Sequence, residues 1–142
     1  MVTSSVGRIL SLDPGSARIG VAVSDRNRTV AFPRSFIAVN GQELDVLEGV
    51  IAEEEATMVV IGLPTSLSGA EGAAAKAATA LASRLAEKFP SLEILMVDER
   101  FTTVTASGML QGSGVTQRQQ RGKIDSAAAA VLLQTYLDRN HQ

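Results

Sequence analysis

Four apolar residues in succession, Met58-Val59-Val60-Ile61, run straight into Gly62 and Pro64. Neighbouring side chains of a strand leave opposite faces, so an unbroken apolar run needs cover on both. The run predicts a central strand of an α/β sheet with helices on each side. The flanks agree. Upstream, Leu44, Leu47, Val50 and Ile51 share one helical face, with Asn40 as N-cap and Glu43 as its capping-box partner. Downstream, Ser68 and Glu71 form a second capping box. It precedes an Ala-rich helix running to about Lys88, with Leu81 and Leu85 one turn apart.

The remaining elements follow from alternation and turn chemistry. "GRILSLD" predicts a strand over 6–13 and "IGVAVSD" a second over 19–25, joined as a hairpin. "DRNR" is a turn. "TVAFPRSFI" is a third strand, which Pro33 moves toward a sheet edge or a bulge. "LEILMVDE" is the fifth strand. Thr102 to Gln111 reads as a short helix, "GSG" at 112–114 ends it, and a polar loop follows. The last helix, about 124–138, places Ile124, Ala127, Ala128, Val131, Leu132 and Tyr136 at helical spacing. The order is β-β-β-α-β-α-β-α-α. Hairpins at the front predict antiparallel strands, and the later strands add in parallel through right-handed crossovers. A chain of 142 residues suits one domain, 1–142.

Composition closes most chemical routes. There is no cysteine, and the one histidine is His141. Thiol nucleophiles, zinc sites and His-dependent triads have almost nothing to work with. A metal would need oxygen ligands, which points to Mg²⁺, Mn²⁺ or Ca²⁺. The N-terminus lacks a continuous apolar segment, and the longest apolar run, "AAAAVLL", is too short to span a bilayer. The expectation is a soluble, cytoplasmic protein with no membrane partner. A net charge of −2 argues against a general positive coat for nucleic acid, but leaves room for a local basic patch.

Ligands of open α/β sheets bind beyond the carboxyl ends of parallel strands. Asp13 ends the first strand, the Asp98-Glu99 pair ends the fifth, and Asp125 opens the final helix. Converged, three carboxylates need a cation between them, and such a cation can serve phosphodiester hydrolysis. Each acid also has a plainer reading. Asp13 can shape the "DPGS" turn. Asp98 or Glu99 can be a solvated strand end paired with Arg100, and alternation lets only one of them face a shared site. Asp125 can be a first-turn acid favoured by the helix dipole. Arg118, Arg121 and Lys123 cluster in the polar loop and can neutralise phosphates, or can simply be solvated. Thr116 and Gln119 offer a capping box that would make this stretch helical. Arg18, Arg26, Arg28 and Arg34 form a second basic group. Gly15 allows a phosphate close to the backbone.

"LSLDPGSARIGVAVSD", "VVIGLPTSLSG", "VDERFTT" and "KIDSAAAAVLLQTYL" together resemble the four blocks of the YqgF/RuvX family, in family order over nearly the whole chain. The resemblance implies an RNase H-like mixed five-stranded sheet, three strands antiparallel and the rest parallel, flanked by helices. It implies a nuclease dependent on Mg²⁺ or Mn²⁺, with pre-16S rRNA 5′-end maturation as its role and Holliday-junction resolution as the alternative. A non-catalytic RNA-binding assembly factor of the same fold is a third reading. Partners would be structured RNA, in particular precursor rRNA, or branched DNA, and the protein a monomer or homodimer. By motif, Asp13, Glu99 and Asp125 match the catalytic, metal-holding acids. Gly15, Arg18, Arg100, Arg118, Arg121 and Lys123 become the nucleic-acid-binding set. Classical resolvases carry a fourth acid one turn before the last. This chain has Gly122 and Lys123 there, which leaves the ion count at one or two.

Overall fold

A computed structural model describes residues 7–15, 17–63, 72–98 and 117–140, with the backbone alone at 73–74 and 117–125. Five strands form one sheet: β1 (Arg8–Pro14), β2 (Arg18–Ser24), β3 (Ala31–Ala38), β4 (Ala56–Leu63) and β5 (Glu93–Asp98), in the order β3-β2-β1-β4-β5. β1 pairs antiparallel with β2, β2 antiparallel with β3, β1 parallel with β4, and β4 parallel with β5. The mixed sheet is therefore the one the sequence predicts. Pro33 sits in the edge strand β3, where its missing N–H costs little.

The continuous run of β4 is covered on both faces, as expected. Val59 and Ile61 join Leu10, Leu12, Ile19, Val21 and Val23 on one face, against Leu47 of α1 (Glu43–Glu54) and Ala78, Leu81 and Leu85 of α2 (Ala73–Lys88). Met58 and Val60 join Ile9 and Ala22 on the other, against Ala129, Ala130, Leu132, Leu133 and Leu137 of α3 (Gln117–Arg139). Among the described residues, no helix is long and apolar enough to cross a membrane.

The helix starts differ from expectation. α1 begins at Glu43, with Gln42 as N-cap and no side-chain cap bond. Gly41, at φ +94°, breaks the helical run and leaves Asn40 outside it. The expected pair still meets: the Glu43 carboxylate accepts from the amides of Asn40 and Gly41 at 3.1 and 2.8 Å. Those amides, with the Arg84 guanidinium 3.6 Å away, hold its pKa below the ordinary carboxylate range; its own amide is the largest cause. α2 starts at Ala73 behind Gly72; Ser68, Glu71 and the Thr102–Gln111 helix lie outside the described residues.

The correction that matters most concerns the last helix. It starts at Gln117, not near 124, so the basic stretch is helical and not a loop. Gln, Arg and Lys are good helix formers, but 117–123 lacks apolar periodicity and carries Gly122, which weakens its propensity.

The β2–β3 turn is organised by Asp25. Its carboxylate accepts from the amides of Thr29 and Val30 at 2.7 and 2.9 Å and from the Thr29 hydroxyl at 2.8 Å. The Val30 amide is the largest influence, and together these donors pull its pKa from 3.8 to about 2. A depressed carboxylate stabilises the fold above its unfolded pKa and loses that contribution as pH falls through the folded one. Asp25→Asn should therefore cost about 1–2 kcal/mol at pH 7. The gap to wild type should narrow between pH 4 and 2, as urea denaturation at the two extremes will show.

Candidate nucleic-acid cleavage site

β1, β4 and β5 run parallel, so Pro14, Leu63 and Asp98 end at one edge of the sheet. β1 is central, which places Asp13 in the middle of that edge, paired with Gly20 of β2. Alternation decides its face. Leu10 and Leu12 point to α1 and α2, so Ile9, Ser11 and Asp13 belong to the α3 face. Asp13 is half-buried there.

The hairpin behind it is tight. The Gly15 amide donates to the Arg18 carbonyl at 2.8 Å, and the Val39 amide donates to the Ala17 carbonyl at 2.9 Å. A Cβ on residue 15 would stand 2.9 Å from the Arg18 carbonyl oxygen, so the turn requires glycine. Arg18 opens β2 beside it, its guanidinium 5.1 Å from the Phe36 ring centroid. The other arginines of the second basic group are engaged elsewhere. Arg26 pairs with Glu55, Arg28 bonds the Gly7 carbonyl and the Thr57 hydroxyl, and Arg34 bonds Glu53 and Glu54 of α1.

α3 runs down the sheet from this edge. Near its middle Ser126 meets Val21 and Arg34; two turns further on Gln134 bonds Ala31 and Thr29, at the opposite edge. Asp125 therefore occupies the third turn, at the level of the carboxyl edge, and no acid lies in the first turn. The dipole explanation for Asp125 falls with that placement, because such effects fade within one turn. On the helix, Arg118, Arg121, Asp125, Ala129, Leu132 and Tyr136 follow one another at steps of three or four residues and form one row. Tyr136 and Leu132 take that row to the β4 side, where the Tyr136 hydroxyl meets the Met58 sulfur at 3.9 Å. Lys123 is two residues from Asp125, about 200° round the helix. The three basic positions expected to cluster thus split: Arg118 and Arg121 share the row of Asp125, and Lys123 does not.

On β5, Ile94 and Met96 pack with the α1–α2 core and Val97 with the α3 core, so Asp98 has the parity of the former. It also borders a cleft of about 290 Å³ between β5 and the end of α3, lined by Met96, Val97, Thr135, Tyr136, Arg139 and Asn140. Glu99 and Arg100 lie outside the described residues, as do the side chains of Arg118, Arg121, Lys123 and Asp125. Among the described residues, no three metal-ligating side chains come together.

Sequence reading missed three buried hydroxyls. Ser11 and Ser126 are 0% exposed and Ser24 is 1% exposed. The signal was available for Ser11, a lone polar residue between Leu10 and Leu12, since a buried hydroxyl must find a partner.

The chain matches the family described as "RuvX: Holliday junction resolvase" over residues 7–139. It is 46% identical over 136 residues to a protein of Thermobifida fusca (strain YX), covering 91% of this chain and 86% of that one. It is 41% identical over 138 residues to one of Rhodococcus opacus (strain B4), covering 93% and 78%. Both are provisionally named pre-16S rRNA nucleases. Among solved structures it resembles T. thermophilus RuvC in complex with a Holliday junction substrate, with a TM-score of 0.57 and 14% identity over 95% of this chain and 96% of that one. The Fowlpox virus resolvase in complex with Holliday junction DNA gives 0.61 and 12%, over 95% and 99%. At such identities the likeness is one of fold.

Proposed function

Because this chain belongs to the RuvX family of nucleases, we propose that it hydrolyses phosphodiester bonds at the 5′ end of pre-16S rRNA, with a divalent cation held by Asp13, Glu99 and Asp125. The observation that carries this reading is the placement of two carboxylate positions at one edge. Asp13 lies on the α3 face at the end of the central strand, and position 125 lies one helical turn from Ala129, whose carbonyl bonds Ser11 on that face.

The donor set fits a hard cation. Carboxylates are the ligands Mg²⁺ and Mn²⁺ prefer, and with no cysteine and a single histidine, His141, the chain offers little to favour zinc. Bound there, the cation would activate a water and neutralise charge developing on the phosphate. The protein's own part is to orient and to hold. Arg118 and Arg121, in the row of Asp125, supply positive charge for backbone phosphates, and Arg18 does so from the hairpin. Gly15 allows the substrate backbone to approach the β1–β2 turn without a Cβ in the way. Arg100 and Lys123 complete the basic set, Lys123 from the other flank of α3. A cytoplasmic location follows from an rRNA substrate.

A second reading has one observation in its favour, the family's description as Holliday junction resolvases. The test is a side-by-side assay of precursor rRNA, single-stranded DNA and four-way DNA junctions with Mg²⁺ or Mn²⁺. Metal-dependent trimming of the precursor without paired junction cuts is expected. Paired cuts in junctions with untouched precursor would replace the first reading by the second, and tight RNA binding without cleavage under either ion would sink both.

A further inference from the structure

α3 is joined to the sheet by two buried hydroxyl contacts close to the proposed cation ligands. The first is at Ser126. β3 advances three residues from Arg34 to Ile37 while β2 advances two from Val21 to Ile19, a bulge that interrupts the ladder. The Ser126 hydroxyl fills the interruption: it accepts from the Val21 amide at 3.1 Å and donates to the Arg34 carbonyl. The second is at Ser11, whose hydroxyl donates to the Ala129 carbonyl at 2.6 Å. Leu-, Ala- and Val-rich packing sets the height of a helix by shape alone, because dispersion has no direction. A hydroxyl bonded on both sides of an interface has one satisfied position only.

The two contacts bracket the site. Asp125 immediately precedes Ser126 and stands one turn above Ala129, about 6 Å along the helix. Asp13 stands two residues beyond Ser11 on the same face, about 6.7 Å along the strand. From the Ser11–Ala129 contact, helix and strand thus advance together toward the two acids.

We propose that Ser11 and Ser126 are positioning residues, two buried hydroxyls that fix the height of α3 on the sheet and thereby the spacing between Asp13 and Asp125. The proposal rests on the reading of those acids as cation ligands. A control is built into the fold. The Ser24 hydroxyl accepts from the Ile9 amide at 2.9 Å and donates to the Asp25 carbonyl at 2.8 Å, the same chemistry at the opposite edge of the sheet. Loss of the Ser126 or Ser24 hydroxyl orphans a buried backbone amide, and loss of the Ser11 hydroxyl removes a buried helix–sheet hydrogen bond, so all three alanine variants should be less stable. Only two should disturb the acids.

The experiment is a Mn²⁺ titration followed by electron paramagnetic resonance, at a temperature where circular dichroism shows every variant folded. Ser11→Ala and Ser126→Ala should raise the Mn²⁺ dissociation constant about tenfold or more, the usual effect of losing a group that orients metal ligands. Ser24→Ala should bind as wild type despite a lower melting temperature. If Ser126→Ala does not fold, Ser11→Ala carries the comparison. Wild-type affinity in Ser11→Ala and Ser126→Ala, or an equal loss in Ser24→Ala, would overturn the positioning role. If instead wild type and Asp13→Asn take up Mn²⁺ alike, the cation reading itself fails and the proposal with it.

Discussion

Asp13→Asn should abolish metal-dependent cleavage and leave the fold in place. The two side chains have the same shape, and the backbone pairing of residue 13 with Gly20 needs neither. What changes is charge. A cation that contributes about 4 kcal/mol to the barrier is worth roughly 10³-fold in rate, and losing its central ligand forfeits most of that. A further readout separates this from a general weakening. Mn²⁺ should raise the melting temperature of wild type, since a ligand that binds only the folded state stabilises it by mass action. The variant should show no such rise. Full activity in Asp13→Asn would remove residue 13 from the chemistry and return it to its plainer role in the "DPGS" turn.

How much of this was legible in the sequence depends on the kind of signal each residue left. β4 was legible because burial on both faces writes an unbroken apolar run. Pro33 gave away an edge strand because a ladder cannot use a residue without an N–H. The start of α3 was harder. Its first seven residues lack the apolar period that marks a packed helix, so Arg118 to Lys123 read first as loop, with the Thr116–Gln119 capping box as the one sign of a helix. That single difference altered the site. It moved Asp125 from the first turn to the third and removed Lys123 from the row of Arg118 and Arg121. Pro33 also marked the third strand for a possible bulge, and one follows at once, between Arg34 and Ile37; what left no local trace is its repair, because Ser126 is 105 positions from Val21. Long-range polar satisfaction has no local period, so Ser126 was visible only as the neighbour of an acid.

The same logic of faces carries the second large effect, at the end of β5. Two acids stand side by side there, and the pleat allows one of them to share a face with Asp13. Ile94 and Met96 pack toward α1 and α2, and Val97 toward α3. Asp98 has the parity of the first pair; Glu99 lies outside the described residues, and the alternation expected from the sequence would give it the parity of Val97. Glu99→Gln should therefore lose about 10²- to 10³-fold in metal-dependent cleavage, the effect of removing a ligand to the cation. Asp98→Asn should stay within a few-fold of wild type. The assay is single-turnover cleavage at saturating substrate, so that the comparison reports the chemical step and not binding. Repetition across Mn²⁺ concentration separates a weakened site from a lost one, because a weakened site recovers at high ion and a missing ligand does not. The reverse ranking would mean that the strand turns over at its last residue and that Asp98, at the mouth of the cleft it shares with Tyr136 and Arg139, is the ligand. Equal losses would mean that both carboxylates reach the cation, which would restore from β5 the fourth acid that α3 lacks and make room for a second ion.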